Sequence, residues 1–175
     1  VSGGYFIVGW SASSDGNIST NNGLSDGWVV KINTEGGIIW EKNYGGTKGD
    51  NFYRIFSAGQ GEFYLVGASN SSDGDISYDP YTGTWDLWVL KIDSVGNIIW
   101  EEIYGGNGDE TAWTGTTTDD GGLVALVWTG SSDGDVSKHY GYYDAWMIKV
   151  NSKGEKQWDF TLGSPGQDVG QAIIQ

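Results

Sequence analysis

An all-β fold made of three copies of one four-stranded antiparallel unit is what this sequence predicts. Three observations carry the prediction. The first is a phrase that returns: WVVKINTEGGIIWEKNYGG from Trp28, WVLKIDSVGNIIWEEIYGG from Trp88 and WMIKVNSKGEKQWDFTLGS from Trp146, at steps of 60 and 58 residues. Repetition at such a period means one supersecondary unit used several times. The second is composition: ten Trp, ten Tyr, five Phe and 30 Gly against two Pro. Bulky aromatics fill a core with few aliphatics, and glycine serves many tight turns. The third is periodicity: no segment sustains the 3.6-residue repeat of a helix.

The middle copy gives the elements in order. Phe52–Ser57 reads as a first strand, and Gln60 with Gly61 as a turn. Phe63–Ala68 is a second strand, Ser69–Asp86 a polar loop, and Leu87–Asp93 and Asn97–Tyr104 the third and fourth strands. The turn between the last two is DSVG, with NTEG and NSKG in the other copies, and a short turn with Gly late in it is a hairpin signal. The third strands (WVVKI, WVLKI, WMIKV) are apolar on both parities apart from the lysine. Such a strand fits a sheet covered on both faces, as in the stacked blades of a β-propeller. The tryptophans of the fourth strands (Trp40, Trp100, Trp158) are expected between blades, and Trp10, Trp113 and Trp128 in the core.

The two ends are out of phase. The first copy opens on a second-type strand, Tyr5–Val8, and the chain finishes on a first-type strand, Val169–Ile174. The copies therefore run over 1–46 plus 168–175, 47–106 and 107–167, so that the last strand completes the first blade type. Propellers use about four to eight blades. The expectation is completion by a second chain, by the rest of a longer chain, or by open-ended stacking into a filament. Val1 in place of Met and a start inside a repeat predict a mature or excised piece of something longer.

The net charge of −14 sets nine basic against 23 acidic residues, which repels phosphate backbones and excludes nucleic acid as a partner. No apolar run approaches the roughly 20 residues of a membrane span, and without cysteine there is neither a disulfide nor thiol chemistry.

The phrases GxF/YxVGxSxSSDGD and DxWVxKIDxxGNIIWExxYGG resemble the Gly/Trp-rich, propeller-like repeat arrays of secreted and surface proteins of bacteria and archaea. The resemblance covers nearly the whole chain, three times over. It implies an extracellular or cell-surface location and a structural or binding role. The third copy departs from it, with LGSPG where the others carry YGG.

The strongest polar signal is SSDG followed by Asp or Asn, with another acid just before each repeat tryptophan. This collects Asp15, Asn17 and Asp26; Asp73, Asp75 and Asp86; and Asp133, Asp135 and Asp144. Calcium takes six to eight oxygen ligands, and an Asp-Gly-Asp turn with a third carboxylate supplies part of such a set. The competing reading is that Asp-Gly forms the turn and the acids cap backbone amides. Another acid follows each YGG or LGS (Asp50, Asp109, Asp168) and reads as a structural acceptor. Lys31, Lys91 and Lys149 recur on apolar strands and call for a partner.

The loops between second and third strands differ most. Tyr78, Tyr81 and Trp85 stand in one and Tyr140, Tyr142 and Tyr143 in another, beside the single histidine, His139. Aromatics in polar loops suit stacking on sugar rings or anchoring a protein, and equally suit packing over a neighbouring blade. Catalysis is not expected, because acids that recur with the repeat lack the asymmetry of an active site. The expected function is thus a structural or binding module for assembly or adhesion. A lectin-like, carbohydrate-binding propeller is the alternative, and a glycosidase a remote third.

Overall fold

The hairpins are set by side chains within their own turns. Asn33 Oδ1 accepts the N–H groups of Glu35 (3.0 Å) and Gly37 (2.7 Å). Asp93 and Asn151 do the same in their turns. This is the Asx geometry that short polar residues favour. Gly36, Gly96 and Gly154 sit at φ of 85°, 80° and 87°, a region in which a Cβ is strained. In all three hairpins the register shifts once beside the turn.

A computed structural model describes residues 3–175. It holds eleven strands, with no helix among the described residues. Sheet I contains β1 (Gly4–Ser11), β2 (Asp26–Asn33) and β3 (Ile38–Tyr44), in that order. Sheet II contains β4 (Asp50–Gly59), β5 (Glu62–Ser69), β6 (Asp86–Ile92) and β7 (Ile98–Tyr104). Sheet III contains β8 (Glu110–Thr117), β9 (Leu123–Thr129), β10 (Asp144–Val150) and β11 (Lys156–Leu162). All pairings between these strands are antiparallel.

The sheets stack, with sheet II in the middle. Every residue of β6 is buried, and its side chains alternate between two cores. Trp88, Leu90 and Ile92 join Val29 and Tyr44 of sheet I. Leu87 and Val89 join Trp146, Ile148 and Val150 of sheet III. An apolar run on both parities is what a doubly covered strand requires.

Two expectations are corrected here. The first concerns residues 169–174, which form no strand. Sheet I accordingly has three strands rather than four, and β1 pairs only with β2. The physical reason is distance. The tail lies along the outer face of sheet III, beside Thr116, Val124 and Lys149, while the open edge of β1 is on sheet I. Its entry nevertheless matches those of β4 and β8. The N–H of Asp168 donates to Tyr143 O (2.8 Å), as Asp50 donates to Ser25 O (2.8 Å) and Glu110 to Trp85 O (2.5 Å).

The second concerns tryptophans. Trp40 and Trp100 pack against the two cores, but Trp158 is 46% exposed, because no further sheet covers β11. Trp10 and Trp113 are also exposed rather than core. Trp113 falls at the register shift of β8, where an extra residue turns its side chain out of the ladder.

Candidate functional site

The seams between sheets gather the recurrent polar residues. At seam I–II, Trp40 Nε1 donates to Ser94 O (3.2 Å) and the Tyr44 hydroxyl to Gly96 O (2.7 Å), both in the opposite hairpin turn. At seam II–III, Trp100 donates to Ser152 O (3.0 Å) and Tyr104 to Gly154 O. Burial of these hydroxyls pushes the pKa of Tyr44 and Tyr104 above the ordinary phenol value.

The SSDG loops reach back over the same seams. Asp73 accepts from the N–H (2.7 Å) and the hydroxyl (2.8 Å) of Thr47, and Ser71 Oγ accepts from Lys48 N–H (3.0 Å). Asp133 accepts from Asn107 N–H (2.9 Å) and its side-chain amide, and Ser131 Oγ from Gly108 N–H (2.8 Å). The Thr47 bonds hold Asp73 below the usual carboxylate range. Asp75 accepts from Gly45 N–H (3.0 Å) and Asp135 from Gly105 N–H (3.3 Å). These acids therefore act as clasps between sheets. In sheet I, Asp15 and Asn17 are exposed at the corresponding places.

Beneath each clasp a carboxylate is fully buried. Asp50 takes hydroxyl bonds from Ser69 and Ser71 (2.8 Å to the latter) and an N–H bond from Gly46 (2.8 Å). Glu110 takes bonds from Thr129 and Gly106 N–H (3.0 Å). The buried acid matching Asp50 is thus Glu110, not Asp109. Asp109 instead accepts from Trp85 N–H (3.0 Å). Sequence reading missed Glu110 because it sought Asp in every copy; the hydroxyl pair at Thr129 and Ser131 was the available signal. Ser71→Ala leaves the buried Asp50 carboxylate and the Lys48 N–H each short of a partner, and Ser131→Ala leaves the Gly108 N–H short of one. Each is expected to cost about 1–3 kcal/mol in urea unfolding, and a loss within a few tenths would contradict the clasp.

Asp26, Asp86 and Asp144 head β2, β6 and β10 and are all fully buried. Each has one satisfied oxygen: Asp26 takes Asn22 N–H (2.6 Å), Asp86 the Thr84 hydroxyl (2.9 Å) and Asp144 Tyr140 N–H (2.6 Å). In all three the other oxygen, Oδ1, has no donor among the described residues. Asp86 Oδ1 and Glu110 Oε2 face the same point, since a Cβ on Gly105 would collide with both. Burial, with the carboxylates of Glu110 and Asp79, pushes Asp86 up to about 8 against the Thr84 bond. Burial likewise raises Asp26, Asp50 and Glu110. Among the described residues no group of three or more His, Cys, Asp or Glu side chains is disposed to hold a metal ion.

The recurrent lysines are paired in two ways. Lys91 meets Glu62 (2.7 Å) and Lys149 meets Asp120 (3.0 Å). Lys31 instead donates to Ser94 O (3.0 Å), over the ring of Phe6.

The six loop aromatics separate. Tyr142 and Tyr143 line an open cleft of about 460 Å³ with His139, Thr84 and Asp109. Tyr143 stands edge-on to Trp128 (5.1 Å) and Tyr142 is exposed, a gradation that suits a stacking platform. Tyr140 lies under Lys138 (4.5 Å). Trp85 is half-buried against Gly49. Tyr81 is built into the seam, with its hydroxyl towards Asp135 (3.5 Å), while Tyr78 projects into solvent. No protein-family model and no curated protein matches the chain.

Proposed function

We propose that this chain is a secreted or cell-surface structural and binding module, built from propeller-type blades and acting in assembly or adhesion. One observation carries the reading. Both seams are closed by the same hydrogen bonds, residue for residue, and these engage Asp73, Asp133 and the seam tyrosines in cohesion. The extracellular location and the likeness to surface repeat arrays rest on the sequence phrases.

A concentration series by sedimentation, run beside a glycan array, tests the reading. Self-association at micromolar concentration supports it. Saturable glycan binding that is weakened by Tyr142→Ala selects the lectin-like alternative, which the cleft beside Tyr142 and Tyr143 favours. Turnover of any glycan overturns both. Calcium enters this reading at the donorless oxygens of Asp26, Asp86 and Asp144. If they take calcium, the melting midpoint rises in millimolar calcium relative to excess EGTA, and an unchanged midpoint removes the ion.

A further inference from the structure

We infer that the partner in assembly is a second copy of this chain, joined head to tail. The tail 168–175 of one copy pairs antiparallel with the open edge of β1 of the next, and sheet I of that copy stacks on the outer face of sheet III. This rests on the assembly reading above and names its partner.

The internal repeat supplies the argument. β5 and β9 are each flanked by an inner strand, β4 and β8, whereas β1 has none. The tail occupies the sequence place of that strand and already starts as β4 and β8 start, at Asp168 N–H on Tyr143 O (2.8 Å). Its remaining backbone forms no ladder. An unpaired edge and an unpaired strand equivalent in one chain are complementary hydrogen-bonding surfaces.

The receiving site is laid out for this strand. In sheet II, Ser69 Oγ accepts from Ser71 N–H (3.1 Å), and both hydroxyls donate to Asp50. In sheet I, Ser11 Oγ likewise accepts from Ser13 N–H (3.1 Å), but among the described residues neither hydroxyl donates to an acid. Asp168 matches Asp50 and Glu110 and holds only its own loop, at Ser164 N–H (2.7 Å) and Oγ (2.9 Å). The register follows from the partners Asp50↔Ser69 and Glu110↔Thr129. It sets Asp168 opposite Ser11, Val169 opposite Trp10, and, after the bulge at Gln171, Ile173 opposite Ile7.

A second, separate contact points the same way. Trp40 and Trp100 donate to the hairpin carbonyls of Ser94 and Ser152 in the next sheet. Trp158 has no such acceptor among the described residues and is exposed. In the joint its acceptor is Thr34 O, the hairpin position that matches Ser94 and Ser152. At the other end of the stack Trp28 is half-exposed, whereas Trp88 and Trp146 at the same position are fully buried.

The joint is weaker than the internal seams. Leu162 stands where Tyr44 and Tyr104 donate a hydroxyl, and Pro165 stands where Thr47 and Asn107 donate an N–H. Three hydrogen bonds are thereby lost, because Thr47 and Asn107 also donate from their side chains, so copies separate before the chain unfolds. The charge of −14 opposes the joint, and added salt strengthens it.

Cross-linking with the 175-residue chain tests the register. The chain has no native cysteine. A Trp10→Cys chain mixed with a Val169→Cys chain is expected to form a mixed disulfide, since directly opposed β residues lie within disulfide reach. Ile7→Cys with Val169→Cys, out of register, is expected to form far less. Ser11→Ala/Ser13→Ala is expected to weaken association measured by sedimentation at least about tenfold. Self-association with no register preference and no loss in the serine variant overturns the joint but keeps the assembly reading. A strict monomer at high concentration and high salt overturns both.

Discussion

Trp88→Ala and Trp146→Ala each lose about 3–5 kcal/mol of folding free energy, and Trp28→Ala loses less than half as much. The three residues hold one position in the repeat and make one shared contact. Their indole N–H groups donate to Glu101 (3.4 Å), Asp159 (3.2 Å) and Glu41 (3.1 Å), respectively. What differs is the neighbour. Trp88 stacks on Phe52 (4.9 Å between centroids) and is shut in by sheet I, and Trp146 is shut in by sheet II. The side of sheet I on which Trp28 lies has no sheet beyond it in a single chain. Removing a large side chain costs its transfer energy plus the cavity left behind, and an open face leaves no cavity. Urea unfolding of the three variants at low protein concentration measures the contrast. A domain of ordinary stability has only about 5–15 kcal/mol, so where the alanine chains are too unstable to purify, Phe replacements provide the same ranking. Equal losses at all three positions would show that burial between sheets is not what the repeat tryptophan contributes.

Asp86→Asn is expected to stabilise the protein at pH 8 by about 1–3 kcal/mol, by letting a side-chain amide donate where two carboxylates now meet. Asp86 Oδ1 and Glu110 Oε2 converge beside Gly105, and burial with the nearby acids raises Asp86 to about 8. The unfolded chain releases that proton near pH 4. Between about pH 4 and pH 8 the folded state therefore holds a proton that the unfolded state has lost. The stability of this group is full below pH 4 and falls as pH rises through 8. One such proton contributes a slope of up to about 1.4 kcal/mol per pH unit. Because other acids titrate too, the readout is the difference between the wild-type and Asp86→Asn melting curves across pH 4–9. The gap is expected to favour the wild type least at pH 8 and above. Parallel curves would mean that Asp86 carries its charge throughout.

The sequence by itself determined the repeat and its strands. Apolar runs on both parities, NTEG, DSVG and NSKG turns and evenly spaced tryptophans are local signals, and the strands and hairpins they forecast are present, as are carboxylate partners for Lys91 and Lys149. The metal-or-turn question at SSDG was open in the sequence because both uses ask for the same residues. Only the sheet-to-sheet contacts assign Asp73 and Asp133 to the backbone amides of Thr47 and Asn107. Tertiary structure also decided that Glu110 rather than Asp109 is the buried acid, since a shift of one residue along a strand swaps the covered face for the open one. It decided the exposure of Trp158 and the unpaired state of 169–174 as well. A strand exists only where another backbone offers its hydrogen bonds, and whether one is near is a property of the stack and not of any segment within it.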